Sequence, residues 1–163
     1  MTVSPPWLLA AQSYLGVKEV PGPKHSNVIL GWLRGLKAWW SDDEMAWCGT
    51  FVAHCLKEAD LPFPDAWYRA RAYENYGSLL RRERLSPGAI LIFLRQGGGH
   101  VGFYVGEDDT HYHVLGGNQS NGVNVMRLAK HRLFASRWPT GYPVVGGPVM
   151  LASSSAKISG NEA

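Results

Sequence analysis

Residues 86 to 128 read SPGAILIFLRQGGGHVGFYVGEDDTHYHVLGGNQSNGVNVMRL, and no other stretch restricts the fold as much. Apolar runs rich in Ile, Val, Phe and Tyr alternate with Gly, Asp and Asn turns, the pattern of short strands joined by tight connections. Strands are predicted over residues 89–95, 100–106, 110–116 and 122–127. Connections this short leave no room for a crossover, so the strands should be antiparallel.

The preceding half is helical in pattern. Pro5-Pro6 leads into a short helix over residues 6–14 that ends near Gly16. Pro21, Gly22 and Pro23 exclude regular structure from the next stretch. Ser26 can cap a second helix, whose Ile29, Trp32, Leu33 and Leu36 recur at helical spacing. "SDDE", residues 41–44, has the form of a capping box, Ser41 with Glu44 three residues on. A third helix carrying Trp47, Phe51, Val52, Cys55 and Leu56 inward follows it, and a fourth is predicted over residues 65–76. Helices first and strands after predict an α+β domain with the third helix packed on the sheet.

With 163 residues, 45% of them hydrophobic, the chain can bury a core of its own. A single domain is expected over residues 1–145. The small, polar stretch over residues 146–163 reads as a loosely ordered tail. The 16 Lys and Arg outnumber the 13 Asp and Glu, and the pI is near 9.0. That balance suits an anionic partner such as wall polymer or nucleic acid without choosing between them. No nucleic-acid module signature is visible, which argues against the second. No stretch approaches the roughly 20 apolar residues of a membrane span. The start lacks the charge pattern of a signal peptide, so a protein made in the cytoplasm is expected.

Cys48 and Cys55 are the two cysteines. On one helix they would lie roughly 10 Å apart, too far to bridge. Cys55 suits the part of a small buried hydrophobe. Cys48 stands at the predicted helix start, where backbone N–H groups stabilise a thiolate and the oxyanion it creates at a carbonyl. His100 follows three glycines at the start of a strand, and an imidazole on a rigid sheet could take the thiol proton. "LGGNQSNG", residues 115–122, offers an amide for the ring's other N–H. Asn118 is the first choice there and Gln119 the second. The competing readings are ordinary ones: a polar strand-end histidine, and turn residues in a turn.

"WCGTFVAHCL", "SPGAILIF", "GGHVGFYVG" and "VLGGNQSNGV" together resemble the cysteine, histidine-dependent amidohydrolase/peptidase (CHAP) group. They also resemble the related NlpC-type wall hydrolases, and most of all the small phage and prophage endolysin-like members. The resemblance spans residues 7 to 138. It implies a papain-like fold, Cys48 as nucleophile, His100 as base and a polar third residue on the following strand. Such families often have an acid or a histidine as that third residue. Here Gly116 and Gly117 stand where an acid would be expected, and His113 rivals Asn118. Trp47, Gly99 and Gln119 are the candidate substrate contacts.

The function expected is hydrolysis of an amide bond in bacterial peptidoglycan by a monomer, as endopeptidase or amidase. It would act on the wall after release or delivery and need no metal or cofactor. "HYH", residues 111–113, could hold zinc, but no His-x-x-x-Asp completes the pattern such wall peptidases use. Two other expectations compete: a non-catalytic wall-binding component of the same fold, and the same chemistry used as an injected toxin.

Overall fold

The structure, a computed structural model, describes residues 4–20, 26–40, 46–160 and 162. The expected loop at Pro21–Pro23 and the capping box with Glu44 lie outside the described residues. Among the described residues three helices precede the sheet: α1 Pro6–Ser13, α2 Asn27–Gly35 and α3 Cys48–Glu58. Pro6 sits at the first position of α1, where its missing N–H costs nothing. Ser26 caps α2, its hydroxyl accepting from the Ile29 N–H.

Seven strands form one sheet: β1 Ser78–Leu79, β2 Ile90–Arg95, β3 Gly98–Glu107, β4 His111–Gln119, β5 Gly122–Ala129, β6 Leu133–Trp138 and β7 Lys157–Ile158. Their order is β1-β6-β2-β3-β4-β5-β7. Every pair is antiparallel except β5 with β7, so the α+β domain has a mixed sheet and not a purely antiparallel one.

The helix carrying Cys48 lies across β3 and β4. Phe51, Val52, Cys55 and Leu56 are fully buried on its inner face, and the Phe51 and Phe103 rings meet edge on, their centroids 6.2 Å apart. Burying each large apolar side chain contributes roughly 1.5–3 kcal/mol, so this face fixes the height of the helix above the sheet. Gly117 lets it come close. A Cβ there would stand 2.7 Å from both the Phe51 Cβ and the Trp47 ring.

Two expectations give way. The fourth helix is replaced by turns and a 3-10 segment at Ala70–Asn75. Tyr73 is buried in the core, its hydroxyl donating to the Gly49 and Trp67 carbonyls, and this anchor draws the chain across the start of α3. The C-terminal stretch is not a loose tail either. Glu107 and residues 149–151 exchange backbone hydrogen bonds, and β7 pairs with Met126 and Arg127. Ser155 contacts the buried His113, and Glu162 is itself buried. The composition is small and polar, but backbone pairing along the sheet needs no large side chains.

No helix among the described residues is long and apolar enough to cross a membrane.

Candidate active site

Cys48 is the first residue of α3, with Trp47 at the cap position, so the thiol sits where helix N–H groups lack partners inside the helix. The adjoining Gly49 is dictated by packing. A Cβ there would come within 2.5 Å of the Trp67 carbonyl oxygen, and only glycine lets the 67–68 backbone cross the helix start. Cys48 is 7% exposed. It opens onto a cleft of about 370 Å³ lined also by Tyr68, Arg69, Arg71, Arg95 and Gly97 to Gly99.

His100 stands on β3, fully buried. Its Nε2 lies 2.9 Å from Gln119 Oε1. The Gln119 amide nitrogen donates to the Val114 carbonyl at 3.1 Å, the Asn124 carbonyl at 2.8 Å and Asn124 Oδ1 at 3.1 Å. Asn124 in turn donates to the Gln119 carbonyl at 2.7 Å. With its nitrogen claimed by three acceptors, the amide must turn its oxygen to the ring, so the ring donates from Nε2. In the neutral imidazole that leaves the Nδ1 lone pair free. Nδ1 has no fully formed hydrogen bond with any described group, and the interaction with the Cys48 thiol falls to it.

The two groups shift each other's titration. Burial pushes the Cys48 thiol up, but hydrogen bonding and charge from His100, the Val101 backbone N–H and the Arg95 charge outweigh it and bring the thiol below its ordinary value. Burial pushes His100 down; the Cys48 thiolate, the Glu162 charge and the Gln119 amide outweigh it and raise the ring. Both shifts favour a thiolate–imidazolium pair. Cys55, buried seven residues on, is pushed the other way by burial and by Glu58.

Iodoacetamide should therefore alkylate Cys48 below the pH of about 8.5 at which free thiols ionise. The rate should rise through the lowered thiol pKa and then stay level. An inflection at the ordinary thiol value would remove the case for an activated nucleophile.

The structure brings Cys48, His100 and Gln119 together and does not bring Asn118 to the ring. Continuing the Phe103–Leu115 register along β3 and β4 would set Asn118 opposite His100. The ladder of β4 on β5 instead shifts between Gly116 and Gln119, and Asn118 takes a left-handed φ of 58°. One residue is absorbed, the facing alternation moves along by one, and Gln119 reaches the ring. The Asn118 amide donates to the Glu162 carbonyl at 3.4 Å. The position next to the ring on β4 belongs to Gly116, where a Cβ would lie 3.3 Å from His100 Nε2 and 2.6 Å from Gln119 Oε1.

His113 is not at the site. It is fully buried, with Nε2 2.8 Å from Asp108 Oδ2, while Arg127 Nε donates to the same carboxylate oxygen at 2.8 Å. Of the three candidate substrate contacts, Gly99 lines the cleft. Trp47 is 1% exposed, with its indole N–H donated to Glu19, and Gln119 is fully buried. Neither offers a surface to a ligand. Sequence reading missed Arg69, Arg71 and Arg95; the alternating arginines of "RARAYE" were the available signal. Among the described residues no three His, Cys, Asp or Glu side chains are grouped to hold a metal ion.

No protein-family model matches the chain, and no curated protein matches it. Among solved structures it is similar to the P60 domain of the M. avium paratuberculosis antigen MAP1272c. The identity is 13%, the match covers 80% of this chain and 90% of that one, and the TM-score is 0.48.

Proposed function

We propose that the protein is a cysteine hydrolase of papain-like design that cuts an amide bond in the peptide part of bacterial peptidoglycan. The observation that carries this reading is the array of a helix-start thiol, a buried imidazole and an amide locked onto the ring's far nitrogen. The Cys48 thiolate attacks the amide carbonyl, forming a C–S bond, and the carbonyl oxygen takes the negative charge beside the first N–H groups of α3. Collapse of this adduct breaks the C–N bond, and the His100 imidazolium gives its Nδ1 proton to the departing amine. Water then attacks the thioester while Nδ1 takes a proton from it. Expulsion of the thiolate releases the acid and restores the starting pair.

This cycle needs thiolate and imidazolium together. Hydrolysis should rise with pH as Cys48 ionises and fall again as pH passes the raised His100 pKa, a loss that thiol alkylation does not share.

Arg69, Arg71 and Arg95 along the cleft favour a substrate with carboxylates near the scissile bond, as wall stem peptides have. Delivery to the wall in the manner of a phage endolysin, and action as a monomer, belong to the same proposal.

The test is digestion of purified peptidoglycan with products read by mass spectrometry. Expected are fragments whose summed mass exceeds that of the parent by one water per cut, with a new amine whose identity names the bond. Binding to the wall with no fragment released would put the non-catalytic wall-binding reading ahead.

A further inference from the structure

β4 runs HYHVLGGNQ and carries no acidic residue, yet the site is not without a carboxylate. We infer that Glu162 is a positioning residue of this site: a buried carboxylate that the last stretch of chain sets beside the His100–Gln119 pair, where it holds the ring in its protonated form. The inference rests on the catalytic reading of Cys48 and His100 above.

Two sets of contacts tie Glu162 to the strands that carry the ring and its partner. On one side its backbone carbonyl accepts from Asn118, the chain neighbour of the Gln119 that binds His100 Nε2. On the other, its carboxylate is held by Arg132, with Nη2 to Oε1 at 2.6 Å and Nη1 to Oε2 at 3.1 Å. Arg132 Nε donates to the Leu94 carbonyl at 3.1 Å, and Leu94 pairs with Gly99, the residue before His100. The Ser159 hydroxyl adds a hydrogen bond to Oε2 at 2.6 Å.

The Glu162 side chain is 0% exposed and its Arg132 partner 14%. A buried ion pair loses hydration and is weak support for stability alone, so its place beside an ionising ring needs another account. Burial would raise the Glu162 carboxyl, but Arg132, Ser159 and the His100 charge hold it below the usual range. The charged carboxylate is therefore the favoured form. The groups acting on the ring are Cys48 from α3, Gln119 from β4 and Glu162, while Arg95 from β2 acts on the thiol. Without Glu162 the ring would face burial with only the thiolate and the Gln119 amide to hold its proton, and the imidazolium would survive over a narrower pH range.

The test is an NMR titration of the His100 ring in the intact protein, compared with Glu162→Gln and Glu162→Asp. Expected for Glu162→Gln is a downward shift of the ring's titration on the order of one pH unit. The alkaline limb of wall hydrolysis should move with it, and Glu162→Asp should recover most of the shift. An unmoved titration in Glu162→Gln overturns the inference. So does an equal shift in both variants accompanied by altered amide signals at Lys157 and Ser159, which would make Glu162 a structural anchor. Faster Cys48 alkylation at every pH with no shift also overturns it, because the segment would then be a cover over the thiol. The ring titration does not depend on wall cleavage. Failure to hydrolyse peptidoglycan would thus strike the proposed function and leave this result readable.

Discussion

Cys48→Ala is expected to lower fragment release from purified peptidoglycan by at least about 10³-fold, the scale on which removing a covalent nucleophile acts. Its thermal midpoint should stay within about two degrees of wild type. The thiol lines the cleft and keeps some exposure, although it borders the core, so less packing is lost with its sulfur than with that of Cys55. Cys55→Ala should do the reverse. That side chain is fully buried among the core residues, and losing it costs roughly 1–2 kcal/mol of stability through the cavity left behind. Its thiol is held protonated by burial, so hydrolysis should be unchanged at a temperature where both proteins are folded. Together the two variants separate chemistry from packing. If Cys48→Ala kept its activity, the nucleophile would lie elsewhere and the thiolate–imidazolium pair would have no part in the reaction.

The sequence exposed those features that depend on local periodicity and left hidden those that depend on what packs against what. Strand alternation after residue 86 and helical spacing before residue 59 were legible because each element buries one face, and the burial repeats with the element's own period. The start of α3 was less so: the capping-box pattern at residues 41–44 pointed upstream, but the helix begins at Cys48 with Trp47 at the cap position and no side-chain cap hydrogen bond. The β6 strand, Leu133–Trp138, was not legible, since it alternates weakly and its LFASRW sequence has no turn residue before it. The segment over residues 65–76 looked helical, but one tyrosine anchored under α3 overrides that propensity. Trp47 looked like a surface for substrate because it neighbours the cysteine. Its ring is instead the filler between α3 and β4, and Glu19 takes its N–H. The pairing of Glu162 with Arg132, thirty residues apart, leaves no mark that one sequence could reveal.

Gly116→Ala is expected to reduce kcat by about 10²-fold with little change in KM, the scale of a small misplacement near the reacting groups. The new methyl would lie 2.6 Å from Gln119 Oε1 and 3.3 Å from His100 Nε2. Neither neighbour has room to retreat. The Gln119 amide is pinned by three acceptors on its nitrogen, and the ring is fully buried. The bond that orients the imidazole must therefore break or turn, and Nδ1 turns with it. Gln119→Ala should give a loss of similar size by deleting the acceptor outright. Asn118→Gly is the contrast: glycine accepts the left-handed φ at this position, the side chain removed does not touch the ring, and Arg132 and Ser159 still hold the Glu162 carboxylate, so hydrolysis should stay within about threefold of wild type. This ordering discriminates because the regular strand register would have chosen Asn118. If Asn118→Gly lost activity while Gly116→Ala and Gln119→Ala kept it, the shifted register would be wrong about which amide holds the ring. If all three kept it, the imidazole would need no orienting partner, and burial between α3 and the sheet would suffice to aim Nδ1 at the thiol.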